Sequence, residues 1–380
     1  MRFTICRNRF EQNVQHVVKA VSSRTTIPIL TGIKIVADEN GVTLTGSDSD
    51  ISIETFIPKE DEEREWISDI VPGGIVLQAR VFADIIKKLP EETVEIIVQD
   101  QYQATIRSGA VVFNITGFDP DEYPRLPQLR EEKIFRLPQD MLKTIIRQTV
   151  FAVSTKETRP VLTGVNFAIE DGELVCTATD SHRLAMKRVN VEKNDEHLTF
   201  SNVVIPGKSL NELSKILEDD DELVDVVVSD NQVLFKVKNL LFFTRLLDGH
   251  FPVTKQMIPT QFKTSIQLKT NSFLQTLERA LLLSREGKNN VINFKTLESN
   301  RIEITAITPD IGKVTEQIEA FERQGDELRI SFNGKNVIDA LKAIDSEEIW
   351  IHFTGAMSPF LIHPVDHQRE LHLFSPVRTY

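Results

Sequence analysis

Asp180 and His182 stand two residues apart in a DSH triplet, and on a strand two such side chains share one face. A carboxylate beside an imidazole could move protons in a hydrolase or help to hold a metal. The chain supplies little else for that chemistry. It has no HExxH, no glycine-rich phosphate loop, no GxSxG and no cluster of carboxylates with histidine. His363, His367 and His372 are spaced too irregularly for a metal site, and Cys6 and Cys176 make neither a disulfide framework nor a cysteine zinc cluster. An Asp-Ser-His triplet is more often a capped turn than an active site. A hydrolase built on Asp180 and His182 stays open beside two non-enzymatic readings, a DNA-handling protein and a passive peptide-binding scaffold.

The triplet belongs to a repeat. PVLTGV (Pro160–Val165) precedes it, and 132 residues earlier PILTGI (Pro28–Ile33) precedes DSD (Asp48–Asp50) at the same interval. Two separated motifs sharing one offset indicate duplicated domains. The middle copy differs from the first by His182, Arg183 and Leu184 in place of Asp50, Ile51 and Ser52. Tyr123-Pro124 and Phe251-Pro252 repeat at 128 residues, and a fainter third copy places Thr308-Pro309-Asp310 where the triplet stood. Three units of about 125 residues each suit the usual size of a domain.

Within one unit the pattern runs strand, helix, strands, helix, strands. Phe3 to Cys6 reads as a strand, and Asn8 with Glu11 has the spacing of a capping box opening a helix over Arg9 to Ser22. Thr26 to Ile35, Val42 to Ser47 and Ile51 to Ile57 are β-rich, with Asn40-Gly41 as a hairpin signal. A second helix covers Ala79 to Leu89, strands follow at 94–98, 104–108 and 111–116, and Asp119 to Gln128 reads as a linker. Further helices are expected from Pro138, over Lys208 to Leu217, over Asn271 to Ser284 and over Lys335 to Ile344. The helix Asn271 to Ser284 has a core face of Leu274, Leu277, Leu281 and Ser284, which leaves Leu282 and Leu283 surplus.

A hydrophobic fraction of 41% suits an ordinary soluble protein. The net charge of −12 argues against simple coating of nucleic acid. Every helix nevertheless carries a basic residue off its apolar face, among them Arg9, Arg80, Lys87, Lys143, Arg147, Lys208, Arg279 and Lys335. That distribution suits a surface facing a polyanion, though lysines also simply solvate helices. MRFTICRNRF lacks the apolar core of a signal peptide and no apolar run approaches 18 residues, so a cytoplasmic protein is expected.

The chain closely resembles the β subunit of bacterial DNA polymerase III, the sliding clamp, and most of all the clamps of Firmicutes. The resemblance spans essentially all 380 residues. It is carried by SSRTTIPILTGIKI, GSDSDISIE, FAVSTKETRPVLTGVNF, CTATDSHRLA, NVVIPGKSLNELSKIL, FFTRLLDGHFP, FTGAMSPFLI and SPVRTY. It implies an α+β fold of three clamp domains, 1–127, 128–254 and 255–380, with helices lining a ring and antiparallel sheets outside. The ring that the resemblance implies is a head-to-tail homodimer that encircles duplex DNA without reading its sequence. No catalysis, cofactor, metal or membrane is implied. The implied partners are the replicative DNA polymerase, the clamp loader, and replication and repair proteins that carry clamp-binding peptides.

By position, the resemblance places a peptide cleft at Leu162, Thr179, His182, Arg183, Leu184, Pro252, Met257, Pro376, Val377 and Arg378. Such a cleft has an apolar floor and cationic or polar rims, suited to an extended peptide with leucine or phenylalanine anchors. Gln256 and Ser375 stand where other clamps can carry arginine and methionine. DNA contacts map to Arg24 and Lys156, and the dimer contact to Phe113, Ile115, Leu282 and Leu283.

Overall fold

Six α-helices form among the described residues: α1 (Arg7–Val18), α2 (Ala79–Lys88), α3 (Gln139–Thr149), α4 (Gly207–Ser214), α5 (Thr270–Ser284) and α6 (Gly334–Leu341). The computed structural model describes residues 1–22, 25–62, 64–126, 133–170, 172–193, 195–284, 290–309 and 311–378. Each helix lies on an apolar stripe at helical spacing, for example Phe10, Val14 and Val17 in α1 and Phe82, Ile85 and Ile86 in α2. The stripe of α5 is Phe273, Leu277, Ala280 and Leu281, with Leu274 only partly buried.

The starts of two helices depart from expectation. Cys6 is the N-cap of α1, with no side-chain cap. Asn8 and Glu11 are already inside the helix, and the Arg7 guanidinium donates to both, so no capping box forms. Pro138 closes the strand Lys133–Pro138 rather than opening α3. Pro28–Thr31 is a 3₁₀ turn, with proline at its start, rather than strand. The expected linker is partly structural: Tyr123 is buried and its hydroxyl donates to the Gly32 carbonyl.

The chain forms two compact units, 1–139 with 192–195 and 212–246, and 140–191 with 196–211 and 247–380. The first holds a nine-stranded antiparallel sheet in which Ile51–Pro58 of the first repeat pairs with Leu240–Arg245 of the second. It also holds a five-stranded sheet ending at the edge strand Val111–Thr116. Phe3, Phe10 and Phe82 meet edge to face at 6.0 and 5.9 Å in its core; truncating such a ring to alanine costs about 3–5 kcal/mol.

The second unit repeats the plan. Its nine-stranded sheet joins Arg183–Asn190 of the middle repeat to Glu370–Phe374 of the third. Its other sheet has four strands and ends at the edge strand Gly312–Glu319. Phe294, Phe332, Phe353, Phe360 and Phe374 form a chain of ring contacts through its core. The 132-residue offset holds strand for strand: Gly32–Asp38, Gly41–Ser47 and Ile51–Pro58 recur as Gly164–Glu170, Glu173–Thr179 and Arg183–Asn190.

Candidate functional site

Asp180 and His182 lie in the turn between Glu173–Thr179 and Arg183–Asn190, not on a strand sharing a face. Ser181 between them takes φ 76°, and Asp180 Oδ1 accepts the backbone N–H of His182 at 2.9 Å and of Arg183 at 3.0 Å. Asp48 builds the same turn in the first copy, with Ser49 at φ 80° and bonds from Asp50 and Ile51. Asp180 Oδ2 accepts from Arg183 Nε at 3.0 Å. The carboxylate is thus spent on backbone and guanidinium, and no acid–base pair with the imidazole forms. Among the described residues no group of three or more His, Cys, Asp or Glu side chains could hold a metal ion.

What the triplet does instead is begin an apolar ledge. Leu184 faces Leu373 across the strand pair and is buried with Val175, Met186 and Leu361, with Ile258, Phe262 and Leu371 packed beside them. Thr179 is buried and its hydroxyl donates to the Arg183 carbonyl at 2.6 Å. Leu162 is buried on the 3₁₀ turn Pro160–Thr163. The His182 side chain is exposed, and its carbonyl accepts the Ser375 N–H at 2.9 Å. Past Ser375 the chain lies against the strand Arg329–Asn333: Pro376 faces Phe332, and the Val377 N–H donates to the Ser331 carbonyl at 2.7 Å. Pro376 and Val377 are half-buried, while Gln256, Ser375 and Arg378 are exposed. Met257 ends a 3₁₀ turn with half its surface open, next to the still more exposed Val253. Pro252 lines a cavity of about 460 Å³ with Asn166, Thr177, Met186 and Phe251.

Arg183 departs from the expected cationic rim. Its side chain is only 11% exposed. Besides Asp180 it donates to Asp339 Oδ2 of α6 at 2.8 Å and to the Phe151 carbonyl at 2.5 Å, and its guanidinium lies 5.4 Å from the centre of the Phe151 ring. Asp339, Phe151, Ile258 and Phe262 were not legible as site residues, because only contact over 32 to 156 residues of sequence separation places the first two.

The basic helical residues are less free than their sequence pattern implies. Arg147, Lys215, Arg279, Lys335 and Lys342 each meet a carboxylate, of Asp345, Glu212, Glu316, Asp339 and Glu278 respectively. Arg80, Lys87 and Lys88 are exposed. The acidic run after α4 gathers Lys238, whose amine lies 2.5 Å from Glu222. Lys156 is exposed in a loop where its backbone N–H donates to Ser154 Oγ. Arg24 lies outside the described residues.

Of the four residues of the expected dimer contact, two lie on an outer strand and two near the end of α5. Val111–Thr116 is the last strand of its sheet, with Phe113 38% exposed and Ile115 half-buried. Leu282 at the end of α5 is 66% exposed and Leu283 half-buried. Sequence reasoning missed the exposed Ile307 and Ile311, which adjoin the other edge strand, Gly312–Glu319.

Comparison with known proteins agrees with this fold. Profiles described as the N-terminal, central and C-terminal domains of the DNA polymerase III beta subunit match residues 1–127, 136–253 and 255–378. The chain is 70% identical to the beta sliding clamp of Halalkalibacterium halodurans and 57% identical to that of Bacillus subtilis, over 100% of both chains each time. The crystal structure of the DNA polymerase sliding clamp from Bacillus subtilis superposes with a TM-score of 0.96 at 56% identity, again over 100% of both chains. With three consecutive domain matches spanning nearly its whole length, the chain belongs to the DNA polymerase III beta-subunit family, the beta sliding clamps.

Proposed function

We propose that two copies of this chain, each of three clamp domains (1–127, 128–254 and 255–380), close head to tail into a ring around duplex DNA. The ring tethers the replicative polymerase, and exchanges it with the clamp loader and repair proteins, through the cleft at Leu162, His182, Leu184, Met257 and Val377. The protein acts in the cytoplasm by binding and not by catalysis. A ring held by topology needs only weak, sequence-blind attraction to phosphates, so the net charge of −12 is no obstacle.

One observation carries the ring. Among the described residues two sheets have nine strands, each joining two repeats, and two have five and four, whose outer strands Val111–Thr116 and Gly312–Glu319 are the repeat equivalents of the strands already joined. The joined pairs share a register. Phe242, third in Leu240–Arg245, faces Ile53, third in Ile51–Pro58. His372, third in Glu370–Phe374, faces Ala185, third in Arg183–Asn190. Phe113 and Val314 are the third residues of the two open strands. Phe242 and Ile53 are fully buried where Phe113 is 38% exposed, so pairing Phe113 with a second copy's Val314 reproduces the internal joint.

That register is tested by cysteine pairs in a Cys6→Ser background. Val112→Cys with Thr315→Cys become opposed, at a Cα separation of about 4.5–5.5 Å, within disulfide reach. Mild oxidation is expected to give a covalent dimer from this pair and not from Val112→Cys with Lys313→Cys. Cross-linking by the second pair alone, or by neither, contradicts the proposed closure.

A further inference from the structure

α1 has a second face beside its core residues Phe10, Val14 and Val17. Arg9, Gln12, Asn13 and His16 recur there at helical spacing and line a cavity of about 430 Å³ within the first compact unit. Its apolar wall includes Phe56 and Leu240, from the two sides of the joint where Ile51–Pro58 pairs with Leu240–Arg245. The volume is that of a small-molecule site. Arg9 is half-buried, and its Nε is shut off from solvent without a hydrogen-bond partner. Among the described residues no carboxylate pairs with its guanidinium, which lies 5.3 Å from the centre of the Trp66 ring. Arg7, by contrast, is spent on Glu11 and Asn8 and lies outside the cavity. A donor so buried on a charged group is costly unless an acceptor reaches it.

The other ionisable groups on the cavity wall are already settled. Lys238 shares its amine among Glu218, Asp220 and Glu222 at 2.5 to 3.9 Å. Burial, then Lys19 and Arg9, hold the His16 imidazole down to about 4, so at neutral pH it carries no charge. The wall therefore offers an unpaired guanidinium, an apolar surface with one aromatic ring, and the amides of Gln12 and Asn239.

We propose that this cavity binds a nucleoside monophosphate, with its phosphate on the Arg9 guanidinium and its base against Phe56 and Leu240. The planar fork of arginine matches phosphate oxygens. Side-chain amides carry the paired donor and acceptor that a base edge presents. Glu218 on the same wall disfavours a longer phosphate chain.

The test titrates the full chain with AMP, adenosine and inorganic phosphate by calorimetry. AMP is expected to bind once per chain with a Kd of about 10–100 µM, as suits a ligand of its size. Adenosine and phosphate should each bind at least about tenfold more weakly. Arg9→Gln should weaken AMP by about ten- to a hundredfold and leave adenosine unchanged. Arg7→Gln should bind AMP as the wild type does, and thermal unfolding reports whether each variant is folded. Absence of AMP binding, an AMP affinity unchanged in Arg9→Gln, or phosphate binding as tightly as AMP would each overturn the proposal. Should Arg9→Gln not fold, protection of Arg9 from phenylglyoxal by AMP, read by mass spectrometry, tests the same contact in the wild-type chain. Equal modification with and without AMP would likewise overturn it.

Discussion

Leu282→Ala is expected to weaken the proposed dimer by an amount that can be worked out from its exposure. Leu282 closes α5 with 66% of its surface open, although its neighbour Leu281 is buried in the core. The equivalent position after α3 is Phe151, which packs on the core of the following repeat within the same unit. Full burial of a leucine is worth ~1.5–3 kcal/mol, and with about two-thirds of the side chain still to bury the gain is ~1–2 kcal/mol at one interface. A head-to-tail dimer has two such interfaces, so the truncation should raise the dimer Kd by a factor of about 30 to several hundred. Leu282→Asp with Leu283→Asp adds the cost of drying a carboxylate and is expected to be monomeric at micromolar concentration. Sedimentation equilibrium measures both, and thermal unfolding of the monomer checks that the fold survives with the exposed Leu282 and the half-buried Leu283 replaced. An unchanged dimer Kd in Leu282→Ala, or a dimeric double aspartate variant, would refute the assignment of this helix end to the interface.

Arg24→Ala with Lys156→Ala should leave dimerisation intact and reduce the slope of DNA association against salt by about two phosphate contacts; an unchanged slope removes both from the DNA surface. Deleting Ser375 to Tyr380 removes the bonds to His182 and Ser331 as well as the apolar anchors of the cleft, so a polymerase-derived peptide should bind at least about thirtyfold more weakly. Wild-type affinity after the deletion, by calorimetry, would move the cleft elsewhere. His16 is held down to about 4, first by burial and then by Lys19 and Arg9. The unfolded imidazole titrates near 6.5, so stability is fully present above that pH and is lost as pH falls towards 4, by about 3 kcal/mol at most. His16→Gln, which installs the residue found at the equivalent Gln148, should make the thermal midpoint fall less steeply over that window; parallel curves would contradict this.

The helices were legible because periodic apolar positions report one face of one segment. Their starts were less so. The Asn8/Glu11 spacing suggests a capping box, but the strand Arg2–Cys6 feeds straight into α1 and the Arg7 guanidinium claims both side chains. The duplicated turn was legible as a repeat, and its bland reading as a capped turn is what Asp180 does. Which strand would lie beside which was not legible, since alternation gives a strand two faces but no neighbour. The joined sheets, and hence the open edges at Val111–Thr116 and Gly312–Glu319, emerge only from the pairing. For the same reason Arg183 reads as a free cation in the sequence and is spent in the fold, its partners lying on remote elements.

The measurement closest to the central claim is retention on DNA of defined topology. Protein carrying Cys6→Ser, Val112→Cys and Thr315→Cys is loaded on nicked circular DNA, oxidised and passed over a sizing column in high salt, before and after the circle is cut once. A closed ring around the duplex predicts coelution with the circle and complete loss on linearisation. Equal retention on both forms would mean binding by surface contact, and retention on neither would mean that no ring encloses the DNA.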